Sequence, residues 1–419
     1  MKKINVLKIS VIISRILFGA VFIFSGFVKI IDPLGYAYKI EEYLEAMGPF
    51  FAWFDWASLP ASIALSIAEL LIGICLLLNV RLREVSFLGL LFMLAMTPLT
   101  LWIMLSNPVT DCGCFGDALI ISNSVTFWKN VVLLAMIVFV AIFQKHSISS
   151  FRNSSQWLVA AYTCVFSLGL ALYCYFTLPI IDFRPYKIGK NIIEGMTIPP
   201  DAPINEYQTT FIYSKDGVEQ EFTLENYPRN DDTWLFVDQK SVLVKKGYVP
   251  PIHDFTIDLP EMGEITDIVL EDARYTFLLI SPDLTKANLC KINTVNRLYG
   301  YCKINDYSFY CLTASTRGDI EKFKANTNAE FPIALTDKTT LKTIIRSNPG
   351  LLLLKDATVL NKWHALNIPT FTKPLEGDSK GEIREVNTTM RVSLVALIFF
   401  VPIILLFGND KQVKNVKRD

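Results

Sequence analysis

The sequence predicts a membrane α-helical protein: a four-helix bundle, two further transmembrane helices, and an outer α/β domain held between those two. Three observations carry this expectation. Apolar residues make up 52% of a 419-residue chain with a mean hydropathy of +0.36, and the excess sits in discrete runs. Each run is near the ~20 residues that a helix needs to cross a bilayer core. Between the fifth and sixth runs lie roughly 200 residues of short alternating segments, which suit a folded domain outside the lipid.

The first run, Leu7 to Ile31, follows Met1-Lys2-Lys3. It is too long for the apolar region of a signal peptide and no A-x-A-like site follows, so it reads as a retained span. Further runs cover Leu59–Val80, Val85–Leu105, Phe127–Phe143, Trp157–Ile181 and Val392–Phe407. With six spans, Lys2, Lys3, Arg81, Arg83, Lys145, Arg152, Lys411, Lys414, Lys417 and Arg418 all fall on one side. The positive-inside rule makes that side cytoplasmic. Both termini are then cytoplasmic, and residues 182–389 lie outside, as does the loop around Cys112; the family resemblance given below implies a bacterial inner membrane and a periplasmic outer side. The loop Asp32–Ser58 carries Glu41, Glu42, Glu45 and Asp55 together with Trp53 and Trp56, which fits an outer interfacial belt.

The domains expected are a four-helix bundle at 1–147, a fifth helix and linker at 148–184, a β-rich segment at 185–265, an α/β domain at 266–374, and at 375–419 a linker, sixth helix and basic tail. In the outer block, Tyr207–Tyr213 and Val218–Thr223 flank the turn signal Lys215-Asp216-Gly217 and predict a hairpin. Strands are expected at Tyr275–Ile280, Phe309–Leu312, Leu351–Lys355 and Thr358–His364. Helices are expected at Leu284–Tyr299, Arg317–Asn326 and Leu341–Arg346. Strands alternating with helices argue for a parallel or mixed sheet.

The chemistry concentrates in Asp111-Cys112-Gly113-Cys114-Phe115-Gly116-Asp117. Two cysteines separated by one glycine bring their sulfurs close, and a bridge across a single residue is strained and therefore easily reduced. That favours exchange over permanent stapling. A passive turn with structural cysteines, or a partial metal site, remains open. Cys75, Cys164 and Cys174 lie in apolar runs and read as small hydrophobes. Within the spans, Arg15 and Glu69 are costly charges; the spacing predicts that they pair, with a proton or quinone role as the alternative. Lys29 and Lys129 lie near helix ends and are expected to snorkel, although Lys129 could depress a cysteine pKa if the loop folds back. His146, His253 and His364 read as structural or solvated. A formal net charge of +0 and the lack of any zinc-finger or recognition-helix pattern argue against nucleic acid; the lipid bilayer is the expected surrounding.

Arg15-Ile16-Leu17-Phe18-Gly19, Phe24-Ser25-Gly26-Phe27-Val28-Lys29-Ile30, Glu69 and Cys112-Gly113-Cys114-Phe115-Gly116 together resemble the DoxX/MauE family over residues 8–145. The resemblance implies thiol–disulfide or quinone-linked electron transfer at the outer face of the inner membrane. Cys112 and Cys114 would be the redox pair, Arg15 and Glu69 would lie in the bundle, and quinone is the candidate cofactor. Residues 275–369 are similar to a thioredoxin-like domain. There, Ser347-Asn348-Pro349-Gly350 resembles the cis-proline and the strand after it, making Pro349 the cis residue. Where thioredoxins carry Cys-x-x-Cys, this chain reads Ser281-Pro282-Asp283-Leu284-Thr285-Lys286. The domain is therefore expected to have lost that chemistry and to bind a periplasmic or envelope partner. The whole resembles Bacteroidales-type fusions. Two functions follow: a membrane thiol–disulfide oxidoreductase component, or a non-catalytic scaffold for envelope proteins.

Overall fold

The structure is a computed structural model, and it describes residues 2–109, 111–146, 151–203, 206–215, 217–224, 226–228, 233–245, 247–375 and 388–416. The turn residue Asp216, linker residues 376–387 and the basic residues Lys417 and Arg418 lie outside these, as do the side chains of Lys2, Lys3, His146 and Lys414.

Among the described residues, six helices are long and apolar enough to cross a membrane. They are α1 (Lys2–Ile31), α3 (Ser58–Leu78), α4 (Leu82–Ser106), α5 (Asn123–Phe143), α6 (Asn153–Phe176) and α10 (Thr388–Val416). This is a membrane protein. The bundle depends on how closely α1 and α3 approach. A Cβ added at Gly26 would sit 2.6 Å from the Leu70 backbone nitrogen, and one at Gly73 would sit 2.7 Å from that of Ile23. One at Gly19 would meet the Gly73 carbonyl at 2.9 Å. Without a hydrophobic drive between helices in lipid, such small-residue contacts let backbones pack. At the far end, Asp410 of α10 accepts from Arg152 N and Ser155 Oγ of α6, both at 2.9 Å.

Helix α2 (Pro33–Ala46) departs from the expectation of a loop. Its start is specified locally: Asp32 caps it by accepting from Gly35 N at 2.9 Å, with Pro33 at the first helical position. It lies across the end of the bundle that carries the Cys112 loop.

Outside the bundle, β1 (Glu206–Lys215) and β2 (Val218–Thr223) form the expected hairpin, and β3 (Leu235–Lys245) joins on the other side of β1. The larger sheet has seven strands. In chain order these are β4 (Asp258–Leu259), β5 (Gly263–Glu264), β6 (Thr276–Ser281), β7 (Ser308–Thr313), β8 (Ile333–Leu335), β9 (Gly350–Lys355) and β10 (Thr358–His364). Their spatial order is β10-β9-β6-β7-β8-β4-β5, with β6, β7 and β8 parallel and β9 antiparallel to β6. Strand β6 is buried along its whole length, as a central strand covered on both faces must be. Helices α7 (Ile292–Ile304), α8 (Arg317–Thr327) and α9 (Lys338–Ile344) cover the faces. The first begins eight residues later than its periodicity suggested: Asp283 and Asn288 cap short 3-10 turns over Leu284–Lys286 and Leu289–Lys291 before α7 starts. The strand–helix–strand unit, followed by a hairpin with a cis peptide at Asn348–Pro349, is a thioredoxin-like arrangement.

The sheet domain is fastened to the end of α6. Lys362 Nζ lies 3.0 Å from Asp182 Oδ2 and 2.7 Å from the Ile344 carbonyl, while Arg184 Nε lies 2.8 Å from Asp182 Oδ1.

A test of the bundle follows from the glycine contact. Gly26→Ala places a methyl against backbone and should cost about 1–3 kcal/mol, as overpacked cores do. Gly169→Ala, where nothing lies within 4 Å, should cost nothing or stabilise slightly. Equal melting temperatures for the two variants in detergent would contradict the packing.

Candidate functional site

The Cys112–Gly113–Cys114 turn is held at both ends before any chemistry is considered. Asn107 ends α4 in the left-handed region, and Asn123 Nδ2 donates to Asn107 Oδ1 at 2.8 Å and to the Val109 carbonyl at 3.0 Å. Within the turn, Gly113 N donates to Asp111 Oδ1 at 2.9 Å and Gly116 N to the Gly113 carbonyl at 3.0 Å. Gly113 has φ +62, and a Cβ there would press on Lys39 Cγ at 3.0 Å. Glycine is required on both counts. Helix α2 closes over the turn: Tyr43 OH donates to the Cys112 carbonyl, and Lys39 Nζ bridges Asp111 Oδ2 at 3.2 Å and Glu42 Oε2 at 2.9 Å.

The two sulfurs lie 2.8 Å apart. Cys112 is 8% exposed, and Cys114 is half-buried at a cavity of about 240 Å³ between α1, α2, α3, α4 and α5. The walls of this cavity are mostly apolar, with Phe22, Ile40, Leu65, Met93 and Met96 among them, and its polar groups gather at the dithiol end. There, Lys29 Nζ pairs with Glu69 Oε1 at 2.6 Å, both buried. Ser25 Oγ lies 2.6 Å from Glu69 Oε2 and 2.7 Å from the Cys114 carbonyl. Its single proton can serve only one of these at a time. Lys129 sits over the Phe115 ring at 4.4 Å.

These surroundings split the two thiols. The hydrogen bond between the two sulfurs does most to lower the Cys114 pKa; burial opposes it, Lys129 and Lys29 add to it, Glu69 works against it, and the net shift is downward. Cys112 moves far upward, because of the same hydrogen bond and its burial. Burial also pushes the Tyr36 hydroxyl up to about 12. Cys114 is thus the more acidic thiol of the pair and Cys112 the less acidic, the asymmetry that thiol exchange needs.

The expected site residues divide into three places. Cys112, Cys114, Lys29, Glu69 and Lys129 come together. Arg15 does not: Glu69 pairs with Lys29 instead, which corrects the predicted Arg15–Glu69 pair and the expectation that Lys29 snorkels. The glycine contacts explain it, since Gly26 meets Leu70 whereas Gly19 already lies at Gly73 and Leu77. Arg15, a further turn towards the N-terminus, reaches a separate cavity beside Leu77, Leu78 and Asn79. Pro349 is cis, in the sheet domain. Ser25, Lys39, Tyr43 and Arg346 were not anticipated. The Asp32-Pro33 pair was the signal for α2 and hence for Lys39 and Tyr43; nothing local marks Arg346. Beside Pro349, Asn348 joins Ser281 Oγ at 2.6 Å and the Asp283 carbonyl at 2.8 Å, so hydrogen bonds fill the place of the absent dithiol. Cys290 is exposed, and Cys302 and Cys311 are buried in the sheet domain as free thiols.

Residues 7–143 match the family model described as methylamine utilisation protein MauE, which spans the first four membrane helices and the dithiol turn. Residues 207–246 match a model described as a domain of unknown function, DUF8463. No curated protein matches. Among solved structures, the chain is similar to a candidate protein disulfide isomerase of Bacteroides thetaiotaomicron: 14% identity over 33% of this chain and 86% of that one, TM-score 0.23. It is also similar to a candidate thiol:disulfide interchange protein DsbE of Chlorobium tepidum: 16% identity over 34% and 93%, TM-score 0.22. The chain is thus a membrane protein whose first four membrane helices match the MauE model and whose larger sheet has a thioredoxin-like arrangement.

Two expectations follow. Alkylation of Cys114, read by peptide-resolved mass spectrometry, should rise with pH and be half-maximal below the range of an ordinary thiol, where its thiolate forms. Lys129→Met should move that midpoint upward; an unchanged profile would remove Lys129 from the site. Replacing one member of the Lys29–Glu69 pair should cost about 3–5 kcal/mol by leaving a buried charge, and Lys29→Met with Glu69→Leu should restore most of it. A double variant no more stable than either single would show that the pair is not coupled.

Proposed function

We propose that this protein is a dithiol–disulfide electron carrier of the bacterial inner membrane, with Cys114 as the reacting thiolate and Cys112 as its resolving partner. The observation that carries the reading is the pair of sulfurs 2.8 Å apart, lining a mostly apolar cavity between α1, α2, α3, α4 and α5. A lipid-soluble quinone fits the chemistry. Its ring suits apolar walls, and its two oxygens suit the polar groups at the dithiol end.

The exchange balances simply. The Cys114 thiolate and the Cys112 thiol give two electrons and one proton to the quinone, which takes its second proton from water, leaving a Cys112–Cys114 disulfide and a quinol; the reverse step reduces the disulfide. On the outer side, Cys114 attacks a protein disulfide, forms a mixed disulfide and releases the client's thiolate. Cys112 then displaces the client's second sulfur. Arg81, Lys145, Arg152 and Lys411 at the opposite end of the bundle support a cytoplasmic position for that end, and hence a periplasmic one for the dithiol. A scaffold role is the competing reading, favoured by the hydrogen-bonded closure of the sheet domain's own thiol position.

The test is the redox state of Cys112 and Cys114, trapped in acid and tagged in intact cells. An active carrier should be a mixed population that shifts when respiratory quinone is held reduced or oxidised, and Cys112→Ser should accumulate mixed disulfides through Cys114. A pair locked in one state under every condition would leave the scaffold reading in its place.

A further inference from the structure

Among the described residues, Arg346 joins the sheet domain to the dithiol turn. Arg346, 8% exposed and three residues before Pro349, places Nε 2.8 Å from Asp32 Oδ2 and Nη2 2.7 Å from Asp117 Oδ2. Asp117 closes the Cys112–Gly113–Cys114 segment, and Asp32 caps α2, which covers that segment. Nη1 of the same guanidinium donates to the Lys342 carbonyl, so its position is fixed from its own domain. A flat, forked cation bridging two carboxylates sets geometry as well as charge. A second contact of the same face, Lys342 Nζ to Glu41 Oε2 at 3.0 Å, reaches α2 but not the turn.

We propose that Arg346 is a positioning residue for the dithiol, holding the Cys112–Gly113–Cys114 turn from the sheet domain by bridging Asp117 to Asp32. The thioredoxin-like domain, without a dithiol of its own, thereby controls the one in the membrane bundle. The groups that face Cys114 are Cys112, Lys29, Tyr36, Tyr43, Glu69 and Lys129, and those that face its turn are Asp32, Lys39, Asp111, Asp117, Arg184 and Arg346. Arg346 meets the turn at Asp117. It acts by keeping the sulfur beside Lys29 and Lys129 and the outer side of the turn covered. The inference deepens the redox reading, and it rests on that reading only where it speaks of exchange.

The experiment follows Cys114 alkylation in the full-length reduced protein between about pH 5 and 9, resolved by peptide mass spectrometry. With Arg346→Gln, the turn should drift from the two lysines and open outward. The half-maximal pH should rise, so that the rate near pH 6 falls about tenfold relative to the variant's own plateau, while the plateau itself rises. Arg346→Lys should recover part of the wild-type profile. Lys342→Gln, which severs the neighbouring contact, should leave the profile where it is. A profile for Arg346→Gln that superimposes on wild type would overturn the proposal, and so would an equal shift with Lys342→Gln, which would mean general undocking. Should Arg346→Gln fail to fold, Asp117→Asn keeps the Asp32 contact and must move the profile in the same direction. A wild-type pair that never responds to quinone, together with a shifted Arg346→Gln profile, would sink the redox reading and leave the positioning role intact.

Discussion

The Lys29–Glu69 pair is the constraint around which the bundle is arranged. Two opposite charges inside a membrane bundle are tolerable only when each satisfies the other and their remaining valences are met. Here the ammonium also lies over the Tyr36 ring at 4.5 Å, and the second carboxylate oxygen receives Ser25. Those partners come from α1, α2 and α3, so one interaction ties three helices at a single level. The glycine contacts of α1 and α3 are what make the approach close enough. The level chosen is also the level of Cys114, whose carbonyl shares Ser25 with Glu69. The residues that tie the helices together are therefore also the ones that surround the proposed dithiol.

Much of this was legible in the sequence, and the reasons differ by element. The spans were clear because a bilayer imposes a length that the chain cannot disguise. The Cys112–Gly113–Cys114 turn stood out because two cysteines one residue apart must lie close, and the two sulfurs do. The central strands of the outer domain declared themselves as short apolar runs between turn residues. The ion pair was misread because depth was judged from each helix separately, whereas the register is set by Gly19, Gly26 and Gly73 against their neighbours. Helix α2 was hidden by its mixed composition, although Asp32-Pro33 marked its start. Strand β8 is three residues long and leaves almost no periodicity to read. Arg346 could not have been found at all from local pattern, since its partners Asp32 and Asp117 come from another domain far earlier in the chain.

The outer domain has a thioredoxin-like strand order, a parallel centre and a cis-proline, and Ser281, Asn348 and the Asp283 carbonyl are joined by hydrogen bonds beside that proline. The result is a rigid face. A rigid face next to a reactive turn can still contribute, because thiol reactivity depends on where a sulfur sits relative to nearby charge as much as on the sulfur itself. The ion pairs of Arg346 and Lys342 show that this face is turned toward the bundle.

The charge balance of the pocket carries the argument one step further within the redox reading. In the reduced state, the Cys114 thiolate faces Lys129 and Lys29, and Glu69 already answers Lys29. Forming the disulfide removes the thiolate and leaves the pocket one unit more positive. A buried excess of one charge is costly, so oxidation is expected to be accompanied by movement of a proton or of the Lys129 side chain. Glu69 and Ser25 stand next to the Cys114 backbone, where the single Ser25 hydroxyl proton can point either way. On that reading, electron transfer is coupled to a local rearrangement beside the Lys29–Glu69 pair, which Tyr36 and Ser25 hold in place.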